Sequence, residues 1–423
     1  MTTQQQRPDA EHQHSDAGHR PHSSGGVRVH QADPGAVEAD FYHVRDLVAP
    51  EDRERLEAVR DWARKNVAPV AADYWERGEF PYELIAQLPE LGIAGLQFSG
   101  YGAPGRGALV AGLTSMELSR VDPSFATFYG VHSGLGIATV MQCGSEEQKE
   151  RWIPAMLRWE KLAAFALTEP DVGSGASRGL TTTARREGDT WILDGRKKWI
   201  GNATFADLVI VWAKDEADDQ VKGFVVERGT PGFEPHRIEG KVSLRSVQNA
   251  EIELRGVRVP EENRLAEAHS FKDTAKVLRS TRLGVSWNAV GCAMGAYEAA
   301  RAYTLEREQF GKPIAAFQLV QDQLARMLAD ITACQTMNVR AAQLQDAGQL
   351  TDQQASLAKM YSTSRTREVV AHAREILGGN GILLDHEVAR FWADAEALYS
   401  YEGTRDMNAL IVGRAATGIS AFV

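Results

Sequence analysis

Several short stretches of the sequence hold residues whose types and spacing could do chemistry. FALTEPDVGS, at 165 to 174, runs from apolar residues through Thr168 and Glu169-Pro170 to Gly173 and Ser174, offering a hydroxyl and backbone donors at one edge. In KWIGN, at 198 to 202, Trp199 and Ile200 precede Gly201, and a glycine lets a flat ring pack against backbone. EREQFGKPIAAFQ, at 306 to 318, sets Arg307, Phe310 and Gln318 around a Gly-Lys-Pro turn. Each also has a bland reading: a turn between regions, a core tryptophan, a charged helix end. Leu377-Gly378-Gly379-Asn380-Gly381 follows a helical stretch, and Gly173-Ser174-Gly175 lacks the GxGxxG spacing, so neither is a dinucleotide fingerprint. In YSYEGTRD, at 399 to 406, Glu402 is either a solvated loop carboxylate or a base held in place.

Periodicity shows which elements must position these residues. From Pro50 to about Trp159 the apolar residues Leu56, Val59, Trp62, Ala63 and Val67 recur at helical spacing. From about Ala163 to Leu265 the period changes: WILDGRKKWI reads as two short strands about an Asp194-Gly195 turn, and DLVIVWA, GFVVE and AEIELRGVRV as further strands. From Phe271 onward three long helical stretches are separated by turns at Gln309 to Pro313, Gly348 to Thr351 and Gly378 to Gly381, with a short helix after Thr404. Apolar residues on two faces of VSWNAVGCAMGAYEAARAY fit a bundle buried inside a larger assembly. The expected fold is mainly α with an inserted β domain: a disordered tail over 1–41, an N-terminal helical domain over 42–162, a β-barrel-like middle domain over 163–269 and a C-terminal four-helix bundle over 270–423. An α, β, α order without alternating βα units argues against a doubly wound nucleotide-binding sheet.

With 423 residues, 43% apolar content and a net charge of −10, the chain has material for a large core and no overall basic footprint for nucleic acid. Cys143, Cys292 and Cys334 lie far apart and suggest neither a disulfide framework nor a metal site. Glu368 and His372 lie four apart rather than in an ExxH motif, which argues against a di-iron bundle. There is no apolar run of the ~18 residues a membrane span needs. The polar tail with His12, His14, His19, His22 and His30 has no secretory h-region, and the last three residues are not a peroxisomal signal, so a cytoplasmic protein is expected.

Together and in this order, FALTEPDVGS, KKWIGN, EREQFGKPIAAFQ, REILGGNGI and YEGT resemble the acyl-CoA dehydrogenase family, with its similar acyl-CoA oxidases, over roughly residues 42 to 423. WIGNATFADL, SLRSVQNAEI and LGGNGI look most like the branch of glutaryl-CoA dehydrogenases and the plant-type short-chain acyl-CoA oxidase. The resemblance implies FAD lying between the β domain and the bundle, with a partner subunit completing its site. Phe165, Leu167, Thr168, Gly173 and Ser174 are then expected along the flavin and pyrophosphate, with Trp199, Ile200 and Gly201 at the ring. Arg307, Phe310 and Gln318, with Glu375, Ile376, Leu377, Gly378 and Gly379, are expected at the adenylate, and Thr404 near the base. Ser174, Arg282 and Gly403 are expected to contact the acyl-CoA, and Glu402 matches the base that takes the proton α to the thioester. The product is a trans-2-enoyl-CoA. Electron-transferring flavoprotein or O2 would accept the electrons, and a homotetramer is the family's habit. A non-catalytic thioester-binding protein is the alternative of another class.

Four positions refine that implication. Some relatives carry the base on a bundle helix just before the arginine matched by Arg282, and Thr281 there cannot serve. Glutaryl-specific relatives have an arginine-serine pair where this chain has Ala126 and Thr127, which favours a short neutral acyl chain, with Phe125, Phe128 and Tyr129 expected to shorten the pocket. Gly201 replaces a hydroxyl residue, and a small space beside the ring is expected to ease access of oxygen; a dehydrogenase is still the first reading.

Overall fold

The described residues of the computed structural model are 38–421. The tail expected over 1–41, with its histidines, lies outside them except for 38–41. Within that remnant Asp40 is buried, accepting a bond from the Val44 amide (2.8 Å) and pairing with Arg45.

The N-terminal helices are α1 (Pro50–Trp62), α2 (Ala68–Arg77), α3 (Gly107–Val121), α4 (Pro123–Tyr129), α5 (Ala138–Cys143) and α6 (Glu146–Leu157). Pro50 opens α1 and Glu51 and Asp52 sit at its positive end, while Leu56, Val59, Ala63 and Val67 turn inward. Asp122 caps α4 by accepting from the Phe125 amide at 2.7 Å, and the chain then runs through a π-helical segment, Gly130–Ile137. Phe125 and Phe128 join Phe80 and Phe205 in an aromatic cluster, and the Tyr129 hydroxyl donates to the Ile93 carbonyl. These rings lie in the core of the helical domain.

The middle sheet is built of β1 (Ala163–Ala166), β2 (Thr183–Glu187), β3 (Thr190–Gly201), β4 (Leu208–Asp215), β5 (Val221–Glu227), β6 (Phe233–Arg237) and β7 (Asn249–Pro260). Its order is β1-β4-β2-β3-β7-β6, with β5 paired to β4. Two parallel partners, β1 and β2, share the edge of β4 opposite antiparallel β5, and the sheet curls around the continuous apolar run of β4. Asp194-Gly195 is not a turn. Both halves of WILDGRKKWI pair with β7, and the Asp-Gly step is a bulge in one long strand. A Cβ on Gly195 would come within 2.7 Å of the Thr182 Cα, so glycine is required by the neighbouring strand's approach. An Asp-Gly pair signals a hairpin only where the flanking runs pair with each other, which a remote third strand overrides here.

The C-terminal helices are α7 (Phe271–Glu306), α8 (Gln318–Asp346), α9 (Asp352–Ile376), α10 (Val388–Ser400) and α11 (Arg405–Thr417). Capping boxes start α7 at Ser270 and Asp273 and α9 at Thr351 and Gln354. The apolar stripe of α7 is used within the chain. A Cβ on Gly291 would lie 2.2 Å from the Met116 carbonyl, so α7 packs backbone-close on α3, and that stripe by itself does not call for a partner. No helix among the described residues is long and apolar enough to cross a membrane.

α10 is tied to both other domains through buried carboxylates. The Asp394 carboxylate accepts from the Trp75 indole (2.8 Å) and the Leu244 amide (2.6 Å), and Arg390 pairs with Asp122 at 2.7 Å. Burial and the neighbouring Asp122 raise the Asp394 pKa from 3.8 to about 7. The folded state therefore keeps a proton that the unfolded chain releases near pH 4, and stability falls as pH rises from there towards 7. Asp394→Asn, which retains an acceptor oxygen, is expected to flatten that slope in thermal unfolding measured across pH. Asp394→Ala, which strands two buried donors, is expected to cost roughly 2–4 kcal/mol.

Candidate active site

Glu402 lies in the short link between α10 and α11. Glu402 and Gly403 both take left-handed backbone angles, φ 57° and 83°. For glutamate that conformation costs about 1–2 kcal/mol, and the surroundings hold it there. Thr404 caps α11, its hydroxyl accepting from the Met407 amide at 3.3 Å. The Asn408 amide donates to the Gly403 carbonyl (2.8 Å) and the Thr404 carbonyl (3.0 Å), and the buried Lys359 ammonium donates to the carbonyls of Gly403 (2.5 Å) and Tyr399 (3.2 Å).

The Glu402 side chain points to α7, where the Thr281 hydroxyl lies 3.0 Å from its Oε2. Burial raises the carboxyl's pKa, partly offset by the Thr281 hydrogen bond and by the charges of Arg282 and Lys359. Arg282 Nε is buried without a hydrogen-bond partner among the described residues. Tyr401 faces α4, its hydroxyl 3.5 Å from that of Thr127, which donates to the Pro123 carbonyl at 2.8 Å. Ala126 is wholly buried beside it. Thr281, Arg282 and Lys359 thus act on the Glu402 carboxylate from two bundle helices, while Ala126 and Thr127 lie behind the neighbouring Tyr401.

A second cluster forms at the end of the middle sheet. The Lys198 amide donates to the Thr168 carbonyl at 2.8 Å, joining the FALTEP segment to the KWIGN segment. Beneath it Lys197 and Glu169 form a buried ion pair at 3.0 Å, and Lys197 also donates to the Leu167 carbonyl. Burial opposes the charge on Glu169, but the Lys197 ammonium and bonds from Thr182 and Thr181 outweigh it and hold the carboxyl low, at about 2. Phe165 and Leu167 are buried, whereas Trp199 is 54% exposed at φ 66°. Ile200 turns its side chain into the sheet's own core. A Cβ added at Gly201 would meet Val131 Cγ2 at 3.2 Å, from the π-helical segment that continues α4.

The remaining residues divide between two exposed places. Gly173 and Ser174 lie on the loop after Glu169, and Arg307, Phe310 and Gln318 surround the hairpin between α7 and α8. Phe310 is 92% exposed at φ 53°. Glu375 to Gly379 end α9 at the exposed glycines, while Leu377 is buried. Glu368 pairs with Arg365 at 2.6 Å.

The residues present fit a large flat cofactor. A half-exposed indole stands beside a pinned loop, and Cβ atoms added at Gly173, Gly175, Gly378 and Gly379 would meet nothing within 4 Å, leaving open backbone for an anionic group to approach. Sequence reasoning missed three features: Lys359, Lys197 and the hydroxyl of Thr281. A lysine amid apolar helix residues, as in SLAKMY, was the available hint for the first.

Models of the acyl-CoA dehydrogenase N-terminal, middle and C-terminal domains match residues 49–160, 164–257 and 271–417. Acyl-CoA dehydrogenase of Bacillus subtilis is 34% identical over 365 residues, 85% of this chain and 96% of that protein. Two structures of glutaryl-CoA dehydrogenase from Mycobacterium smegmatis superpose with TM-score 0.88, at 37% identity and, in complex with FADH2, 34%, each covering 92% of this chain and 100% of theirs. Butyryl-CoA dehydrogenase from Megasphaera elsdenii superposes with TM-score 0.84 at 33% identity, covering 87% of this chain and 98% of its own. The chain belongs to the acyl-CoA dehydrogenase family of FAD-dependent oxidoreductases acting on CH–CH bonds, and its cofactor is FAD.

Proposed function

We propose that this protein converts a short, neutral acyl-CoA to the trans-2-enoyl-CoA, with Glu402 as the base. The observation that carries the reading is the Glu402 carboxyl itself: held in a left-handed turn, raised in pKa by burial, hydrogen-bonded by Thr281 and within reach of the charges of Arg282 and Lys359. An α-proton is weakly acidic, so its acceptor must be desolvated enough to want it. Glu402 takes that proton while the Gly403 amide faces the thioester carbonyl, where enolate charge develops. The electrons of the α C–H bond form the new double bond as a hydride leaves the β carbon. Bound FAD supplies the acceptor for that hydride.

Phe165, Leu167, Thr168, Gly173, Ser174, Trp199, Ile200 and Gly201 are proposed to line the flavin and pyrophosphate. The Glu169–Lys197 pair beneath Thr168 supports that reading, since it keeps the loop from collapsing into the open face. Ser174 and Arg282 are proposed to meet the CoA. Arg307, Phe310, Gln318 and the segment from Glu375 to Gly379 are proposed to hold the adenylate with a second copy of the chain, in a homotetramer; the exposure of Phe310 supports it. Thr404 acts at the site through its cap of α11.

A neutral acyl group is favoured because Ala126 is buried and uncharged and the Thr127 hydroxyl is committed to Pro123, so a distal carboxylate would meet no cation there. Electron-transferring flavoprotein is favoured over oxygen as acceptor because Val131 fills the place beside Gly201.

Glu402→Gln is expected to fold and hold FAD yet to lose bleaching of the yellow flavin by butyryl-CoA in an anaerobic cuvette; near-normal bleaching would refute the base assignment. Thr281→Val removes a bond that lowers the Glu402 pKa. The acid limb of its kcat/KM profile is therefore expected to move to higher pH, since the base must be ionised to act. Across a panel of thioesters, turnover is expected with butyryl-CoA above glutaryl-CoA and with dye or electron-transferring flavoprotein; stoichiometric hydrogen peroxide in air would identify an oxidase instead.

A further inference from the structure

The turn that carries Glu402 is held by a charge with no counterpart in the proposed chemistry. Lys359 stands on α9 and is completely buried. Burying an ammonium costs several kcal/mol unless its protons are well received, and a methionine would fill the same space without that cost. Its Nζ contacts two carbonyls that flank the base, Tyr399 at 3.2 Å and Gly403 at 2.5 Å. The first belongs to the last turn of α10, where the helix dipole presents its negative end. The second belongs to the residue whose own amide would face the thioester. Two charged groups act on the ammonium: Glu402 from the turn, which favours its charge, and Arg282 from α7, which opposes it. Burial is the largest influence and brings its pKa down to about 7.

We propose, resting on the assignment of Glu402 as base, that Lys359 is a positioning residue for α-proton removal: by clamping the Tyr399 and Gly403 carbonyls it sets the direction of the Glu402 carboxylate and of the Gly403 amide. The Gly403 carbonyl accepts from both Lys359 and the Asn408 side chain, which restricts the freedom that the missing side chain gives Gly403. With Tyr399 held on one side of Glu402 and Gly403 on the other, the left-handed turn between them is confined, and the carboxylate meets Thr281. The ammonium also offsets part of the cost of ionising a buried carboxylate.

The test compares Lys359→Met, Lys359→Gln and Lys359→Arg holoenzymes with wild type. Lys359→Met is expected to retain FAD and to bleach roughly 10²-fold more slowly with butyryl-CoA, the size expected of a misplaced catalytic group. Its α-deuterium isotope effect is expected to rise, as proton removal becomes limiting, and its acid limb to move to higher pH. A packing role alone would lower the unfolding temperature and leave both of those unchanged. If the Met variant does not fold, the polar pair decides: Arg, which keeps charge and donors, is expected to bleach faster than Gln. Wild-type bleaching rate, isotope effect and acid limb in Lys359→Met, or equal rates for Arg and Gln, would overturn the proposal. Failure of the base assignment shows separately, as bleaching that survives in Glu402→Gln or is absent from wild type with every acyl-CoA.

Discussion

A carboxylate that must sit out of water and still ionise is the constraint to which the surrounding elements respond. Left alone in an apolar slot Glu402 would simply stay protonated; exposed in its loop it would be a poor acceptor for a carbon-bound proton. The structure places it between these limits. Burial raises its pKa, while Thr281, Arg282 and Lys359 each pull it back. The position of the Glu402 carboxylate and its affinity for a proton therefore come from the same few contacts, supplied by α7, α9 and the turn itself.

α10 transmits that arrangement to the rest of the molecule. Arg390 and Asp394 lie one helical turn apart, on one face, and engage Asp122, Trp75 and the Leu244 amide. The helix is therefore fastened to the N-terminal helices and the middle sheet before its last turn reaches Tyr399 and Glu402. Such buried polar ties are weak sources of net stability compared with apolar packing, but each one broken leaves an unpaired charge or donor, so they specify register sharply. At the other end of the site the Glu169–Lys197 pair plays the corresponding part for the Thr168 loop.

How much of this was legible depended on range. Leu56, Val59 and Val67 announced a helix because periodicity is local, and the change of period near Ala163 announced the sheet for the same reason. Asp194-Gly195 misled because its local signal, a hairpin turn, was overruled by β7, a strand more than fifty residues away. What stands against Gly201 was not legible, because Val131 comes to it from a different domain. Nor was the aromatic cluster that Phe125 and Phe128 form with Phe80, whose partner lies some forty-five residues earlier in the chain.

By itself the sequence determined the order of the domains, the family, the cofactor and the identity of Glu402 as the candidate base, since these rest on residue types and their succession along the chain. Only the tertiary structure decided that Lys359 lies under the turn, that Thr281 donates to the Glu402 carboxylate, and that Val131 stands against Gly201. The reason is physical. A titratable group's behaviour is set by what surrounds it within a few ångströms, and around Glu402 those neighbours come from residues 281, 282 and 359, which no local pattern in the chain brings together.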